Sequence, residues 1–125
     1  MNKLPLEPGR QDLPVRLKNY SLRVFKLYDS LPQFGSAQII GRQVARSASS
    51  PGAQYREARR AKSNADFISK IEGALQELDE TEYWLGLLDE GGYVASGRLT
   101  SLISETNELI SIFVTIVRRV KARRN

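Results

Sequence analysis

The sequence contains no cysteine and no histidine. Without thiols there is no disulfide, no thiolate nucleophile and no cysteine zinc site. Without imidazole the commonest general base and the commonest metal ligand are also missing. The lack of cysteine agrees with a cytoplasmic location. Long apolar runs are absent as well. Residues 1–14 hold no apolar h-region and no later stretch reaches 18 apolar residues, so neither a signal peptide nor a membrane span is expected.

What is present suits a single domain: 125 residues, 41% of them hydrophobic, enough to build a real core. The formal charge is +5 and unevenly spread. From Asn64 to Glu90 eight acidic residues face one lysine, leaving 18 of the 19 lysines and arginines and 6 of the 14 acids elsewhere. Such asymmetry predicts a basic surface for polyanions, or charge pairing between elements.

Residues 1–14 carry Pro5, Pro8, Gly9 and Pro14 and read as a flexible arm. Asp12 or Leu13 then leads into a first helix with Pro14 in its opening turn and a buried stripe of Leu17, Tyr20, Val24, Leu27 and Leu31. Pro32 to Gly35 makes a turn and Ser36 is expected to cap a second helix. That stretch, Ser36 to Ser63, is the most informative in the chain. At 100° per residue Arg42, Arg46, Arg56 and Arg60 share an arc of about 80° and span about 27 Å, opposite an apolar face of Ala37, Ile40, Val44, Ala48, Tyr55 and Ala58. The small residues from Ser47 to Ala53 allow a neighbouring helix to come close. Pro51 costs about 3 kcal/mol inside a helix. The alternative is a break, with Ser50 as cap and Pro51 as first residue of a new helix. Both faces keep phase across the proline, which favours one helix kinked near Pro51.

Ser63 and Asp66 form a capping-box pattern that opens the third helix, with a stripe of Phe67, Ile71, Ala74, Leu75, Leu78, Leu85 and Leu88. Thr81 and Glu82 interrupt that stripe, so Glu82 is expected to be buried with a tyrosine or arginine partner. Gly91-Gly92 ends the helix, and a fourth begins at Ser96 or Gly97 with a stripe from Leu99 to Val120. Basic residues from Arg118 to Arg124 close the chain, favourable at a helix C-terminus. The fold expected is all-α: an antiparallel up-down-up-down four-helix bundle over 15–122, with a basic tail at 123–125.

The Arg42-to-Arg46 segment, Ser49-Ser50-Pro51, the AQYREA of Ala53 to Ala58, and SNADFISK followed by ELDETEYWL closely resemble the four-helix-bundle proteins encoded in ribosomal-RNA intervening sequences. The likeness covers about half the chain directly. It implies an antiparallel bundle that assembles into a ring-shaped homo-oligomer, often a pentamer. Relatives include the accessory protein of diversity-generating retroelements, linked to nucleic acid and a reverse transcriptase, but that role is not carried over here.

Two readings of the arginines stay open. Arg42, Arg46, Arg56 and Arg60, extended by Arg118, Arg119 and Lys121, could contact RNA or DNA phosphates. Alternatively they pair with the acidic third helix or face solvent. No aromatic residues interleave with them, which argues against stacking of single strands. Glu77 with Glu80 and Glu105 with Glu108 superficially resemble paired magnesium carboxylates, but their helix phase points them away from the core. No metal, cofactor or catalysis is therefore expected. Leu22 with Phe25, Trp84 with Leu87, and Ile112 with Val114 lie off the predicted stripes and suit subunit contacts. The reading is a non-enzymatic oligomeric module that binds nucleic-acid backbone. Its alternative is a protein-interaction or structural homo-oligomer, and in neither case is a membrane partner expected.

Overall fold

The computed structural model describes residues 12–124 as four helices packed in sequence order: α1 (Leu13–Ser30), α2 (Gly35–Ala58), α3 (Asn64–Glu90) and α4 (Thr100–Arg124). Residues 1–11 of the expected arm lie outside the described residues. Asp12 is the N-cap of α1 and Pro14 sits in its first turn, where a missing N–H costs nothing. At the other end α4 stays helical to Arg124, so the helical body extends past 122.

The core is one continuous cluster fed by all four helices. Leu17, Tyr20, Val24 and Leu27 of α1 meet Ile40, Val44 and Ala48 of α2. Ile71, Leu78, Leu85 and Leu88 of α3 and Leu102, Leu109, Phe113 and Val117 of α4 complete it. α1 packs on α2, α2 on α3 and α3 on α4 along their lengths. The seam between α1 and α4 is bridged by longer polar side chains. Arg16 forks onto Glu105, Tyr20 bonds Thr106, and Arg23 donates to Ser101.

α2 is continuous through Pro51, which is itself buried. Ser49 donates to the carbonyls of Ala45 and Arg46, and Ser50 to that of Arg46, one turn ahead of the proline. Two expectations for α2 are corrected. Ser36 is not its cap, because Phe34 holds that position and the Ser36 hydroxyl bonds the Tyr93 hydroxyl at 2.7 Å. The helix also stops at Ala58 instead of running to Ser63, so Arg59 and Arg60 lie in the following turn.

Ser63 caps α3 as expected, accepting from the Asp66 N–H at 3.1 Å. The Asp66 carboxylate reaches back to the Lys62 N–H, one residue beyond the usual capping-box target. At the far end Gly92 takes φ +73°, with Tyr93 N–H on Leu88 O and Gly92 N–H on Asp89 O. Those are the bonds of a Schellman cap, and the left-handed residue is the glycine it favours.

Glu82 is the clear correction in α3: it is exposed. The buried seam follows a seven-residue repeat, Ile71-Leu78-Leu85 alternating with Ala74-Thr81-Leu88. That repeat leaves Glu82 just outside it. Thr81 is the buried polar residue, bonded to the Ser47 hydroxyl at 2.7 Å and to Glu77 O at 2.8 Å. Ile68 takes the buried place expected of Phe67, which is half-buried.

α4 is long and apolar enough to cross a membrane by length and composition. Its buried share, 28% of the apolar window, is close to what two core positions per heptad produce. Leu102, Thr106, Leu109, Phe113 and Val117 form that stripe inside the bundle, which makes α4 a core helix.

Candidate functional site

The four arginines of the expected ridge have different surroundings. Arg42 is exposed on the N-terminal half of α2. Arg46 is held by α3: its guanidinium meets Glu77 at 3.0 Å and Glu80 at 2.7 Å. The Glu80 hydrogen bond is the main cause that raises the Arg46 pKa. In turn Arg46, and then the Trp84 indole N–H, hold the Glu80 carboxyl below its ordinary range. Lys121 likewise pairs with Glu72 of α3 at 3.3 Å. For these two cations, pairing with the acidic helix is what the fold provides.

Arg56 and Arg60 lie elsewhere. With Arg59 they line a groove of about 850 Å³ between α1 and α2, and Lys18 joins them from the α1 side. Pro14, Val15, Leu22 and Phe25 of α1 supply the apolar wall, and Ser49, Gly52 and Ala53 of α2 the narrow one. Gly52 faces Leu17, where an added Cβ would lie 3.7 Å from Leu17 Cβ, an ordinary contact. Among the described residues no carboxylate lines the groove. The Arg59 guanidinium lies over the Tyr55 ring, 5.9 Å from its centroid, and Tyr55 contacts Phe113 at 5.9 Å between centroids. Burial pushes the Tyr55 hydroxyl pKa up, Arg59 opposing and Asp12 adding to it.

The antiparallel order sets the polarity of the molecule. The start of α1, the end of α2, the start of α3 and the end of α4 share one end of the bundle. Arg118 and Arg119, both exposed, are therefore at the same end as Arg56, Arg59 and Arg60. The expected ridge along α2 becomes a basic end of the bundle, with Arg42 far from it.

Three groove residues bear directly on the sequence reading. Arg59 and Lys18 lie off the predicted arginine face, and only the docking of α1 on α2 reveals them. Phe25, 43% exposed, brings an aromatic ring from α1 into the same groove, which the lack of aromatic residues interleaved with the arginines in the sequence does not address.

The off-stripe apolar pairs also separate. Leu22 and Phe25 are exposed in the groove. Trp84, Leu87 and Ile112 are half-buried and pack on the core edge, and Val114 is half-buried. Trp84 stacks edge-on against Tyr83, which is 62% exposed. Ile39, seven residues before Arg46 and so on the same stripe of α2, is 64% exposed. Since Arg46 meets Glu77 and Glu80, that stripe faces the one carrying Trp84 and Leu87.

The carboxylate pairs weighed as a magnesium site are bound to arginine. Glu77 and Glu80 hold Arg46; Glu105 and Glu108 hold Arg16, at 2.6 Å and 3.1 Å. Among the described residues no three histidine, cysteine, aspartate or glutamate side chains gather as a metal site.

The sequence pattern of the 23S rRNA-intervening sequence protein family matches residues 15–115. A crystal structure from Bacteroides thetaiotaomicron, described as a protein of unknown function from the S23 ribosomal protein family, superposes with a TM-score of 0.79 at 33% identity. The match covers 85% of this chain and 98% of that one. No curated protein matches the chain.

Proposed function

The chain belongs to the 23S rRNA-intervening sequence protein family, and from that premise we propose that it is a non-enzymatic, homo-oligomeric module that holds the phosphate backbone of RNA or DNA on its basic end. The observation that carries this reading is the groove in which Lys18, Arg56, Arg59 and Arg60 converge, with no carboxylate among the described residues that line it. Arginine forks suit phosphate, which accepts them bidentately. Arg118 and Arg119 extend the charge at that end, and a ring of copies would multiply weak contacts by avidity. Self-association is supported by Ile39, Tyr83, Trp84 and Leu87 on the α2–α3 face, with Ile112 and Val114 of α4 as further candidates. A subunit number of five rests on the family resemblance alone. The reading needs no cofactor and fits a cytoplasmic location.

A protein-binding scaffold is the second reading, favoured by Arg46 and Lys121 being engaged with α3. Retardation of short labelled RNA and DNA by the folded protein at low salt separates the two. The proposal expects retardation that weakens steeply with salt and is lost in Arg56→Glu/Arg60→Glu. No retardation of either nucleic acid hands the function to the scaffold reading.

A further inference from the structure

We infer that the groove between α1 and α2 takes single-stranded nucleic acid in preference to duplex, with a base stacked on Phe25 and phosphates further along the strand on Lys18, Arg56, Arg59 and Arg60. This rests on the phosphate-binding reading above and goes further, naming the form of the ligand and the residue that selects it.

The groove is not a simple charged surface. A duplex presents its phosphates outward and keeps its bases stacked inside, so it has no use for an apolar wall beside the cations. Here such a wall exists: Phe25 and Leu22, 43% and 52% exposed on α1, line the same groove as Arg56 of α2 and as Arg59 and Arg60 of the turn that follows it. Exposed apolar side chains and cations along one groove match a strand of several nucleotides, its bases on the apolar wall and its phosphates on the cations. Sequence-independent binders of single strands combine a basic groove with aromatic rings in this way. The volume, about 850 Å³, lies within the range of pockets that hold small organic ligands, so an unstacked base fits. Arg59 lies over the Tyr55 ring, 5.9 Å from its centroid, which brings a planar cation beside the path of the strand. An acidic amphipathic helix of another protein would meet the same charges, but α1 offers it only a short apolar strip. Gly52 and Ala53 opposite leave a cleft suited to a thin, flat group.

The test is fluorescence anisotropy of the full chain with labelled single-stranded RNA, single-stranded DNA and a duplex of equal length, across a salt series. Phe25→Leu keeps the exposed position apolar and removes the ring; Arg56→Ala removes one cation. The inference expects both single strands to bind more tightly than duplex. It expects Phe25→Leu to weaken them about five-fold or more, the lower end of a base–aromatic stack. The slope of log affinity against log salt should stay unchanged in Phe25→Leu and fall by about 0.7 in Arg56→Ala. Equal binding of strand and duplex, with Phe25→Leu silent, overturns the inference and leaves backbone binding standing. No binding of any nucleic acid overturns both. Capture of an acidic helical peptide in a Phe25-dependent way, with nucleic acid failing to displace it, also overturns the inference.

Discussion

The Tyr20 phenol donates to the Thr106 hydroxyl at 2.5 Å, and the direction follows from the protons available. Thr106 Oγ1 already gives its proton to Leu102 O at 2.8 Å, so it must accept from Tyr20. Both residues are fully buried in the α1–α4 seam. Burial is the main cause that pushes the Tyr20 pKa to about 12. With the folded pKa above the unfolded one, the unfolded chain releases this proton first as pH rises. Stability is therefore intact below pH 10 and declines between about pH 10 and 12, by about 3 kcal/mol at most. Tyr20→Phe should remove that alkaline loss while costing about 1 kcal/mol at pH 7. Urea titrations at pH 7, 10 and 11 check it; parallel alkaline losses in the two proteins would contradict the assignment. Thr106→Val should cost more at neutral pH, since it leaves a buried phenol without its acceptor.

Arg16 and Glu105 make the strongest charged contact of that seam. Two parallel bonds of 2.7 Å and 2.6 Å join them, with both side chains about 15% exposed. The fork onto Glu105, more than any other contact, raises the Arg16 pKa, while partial burial opposes it. Arg16→Ala should destabilise by about 2–3 kcal/mol, somewhat under the range for fully buried pairs, because Glu105 is left without its cation. Arg16→Met/Glu105→Leu should recover much of the loss. A double variant as unstable as the single one, by urea midpoint, would show that the pair does more than satisfy its own charges.

Much of this architecture was legible because local rules agree with one another. Ser63 before Asp66, the Gly91-Gly92 stop and the seven-residue repeat through Ile71, Leu78 and Leu85 each mark the same α3, and the structure has it there. Glu82 was misplaced for a geometric reason. A wheel drawn at 3.6 residues per turn drifts against a seam of 3.5, enough to move a flanking residue into the core. The candidate site was legible only in part. Whether an arginine is neutralised depends on which carboxylates the packing brings opposite it. Arg46 met Glu77 and Glu80 through the α2–α3 register, while Arg56 met none in its groove. Nothing local in the sequence distinguishes the two. Phe25 joined the arginines only through the docking of α1 on α2.

Gly41 records how closely α2 approaches the end of α1. A Cβ there would lie 2.9 Å from Leu31 Cδ1 and 3.0 Å from Tyr28 Cδ1. Leu31 Cδ1 is the end of a buried side chain and Tyr28 Cδ1 belongs to a half-buried ring, so both must give by a few tenths of an ångström; better helix propensity offsets part of that, and Gly41→Ala should cost about 1 kcal/mol. Gly41→Val adds branching the site cannot hold and should cost about 1–3 kcal/mol. Thermal melts of the two variants measure the difference; equal melting temperatures would mean the helices part freely at this point.

Self-association is tested best away from the core. Trp84 is half-buried and its indole donates to Glu80 at 3.2 Å, so changing it risks the fold. Ile39 and Tyr83, both mostly exposed, do not carry that risk. Light scattering behind size exclusion at micromolar concentration should report a multiple of 14.1 kDa. Ile39→Glu and Tyr83→Glu should shift it toward smaller species with helical circular dichroism unchanged. A monomeric parent protein would remove the oligomer from the proposal.

Arg46 separates a paired cation from an available one. Its charge is engaged by Glu77 and Glu80, and it lies ten residues, about 15 Å along the helix, from Arg56. That exceeds the Debye length of about 8 Å at physiological salt, so groove ligands should scarcely sense it. Arg46→Ala should leave nucleic-acid affinity within about two-fold and the salt slope unchanged, while Arg56→Ala loses about 0.7 of slope on single strands. Arg46→Ala should also cost under about 1 kcal/mol of stability, because its side chain is 52% exposed and water screens the pair. What the pair does contribute is present above the unfolded pKa of Glu80 and fades as pH falls through its depressed folded value. Parallel anisotropy and urea titrations of the two variants decide it. Equal losses of slope in Arg46→Ala and Arg56→Ala would mean that Arg46 leaves its carboxylates for phosphate, and that the binding surface runs along α2 after all.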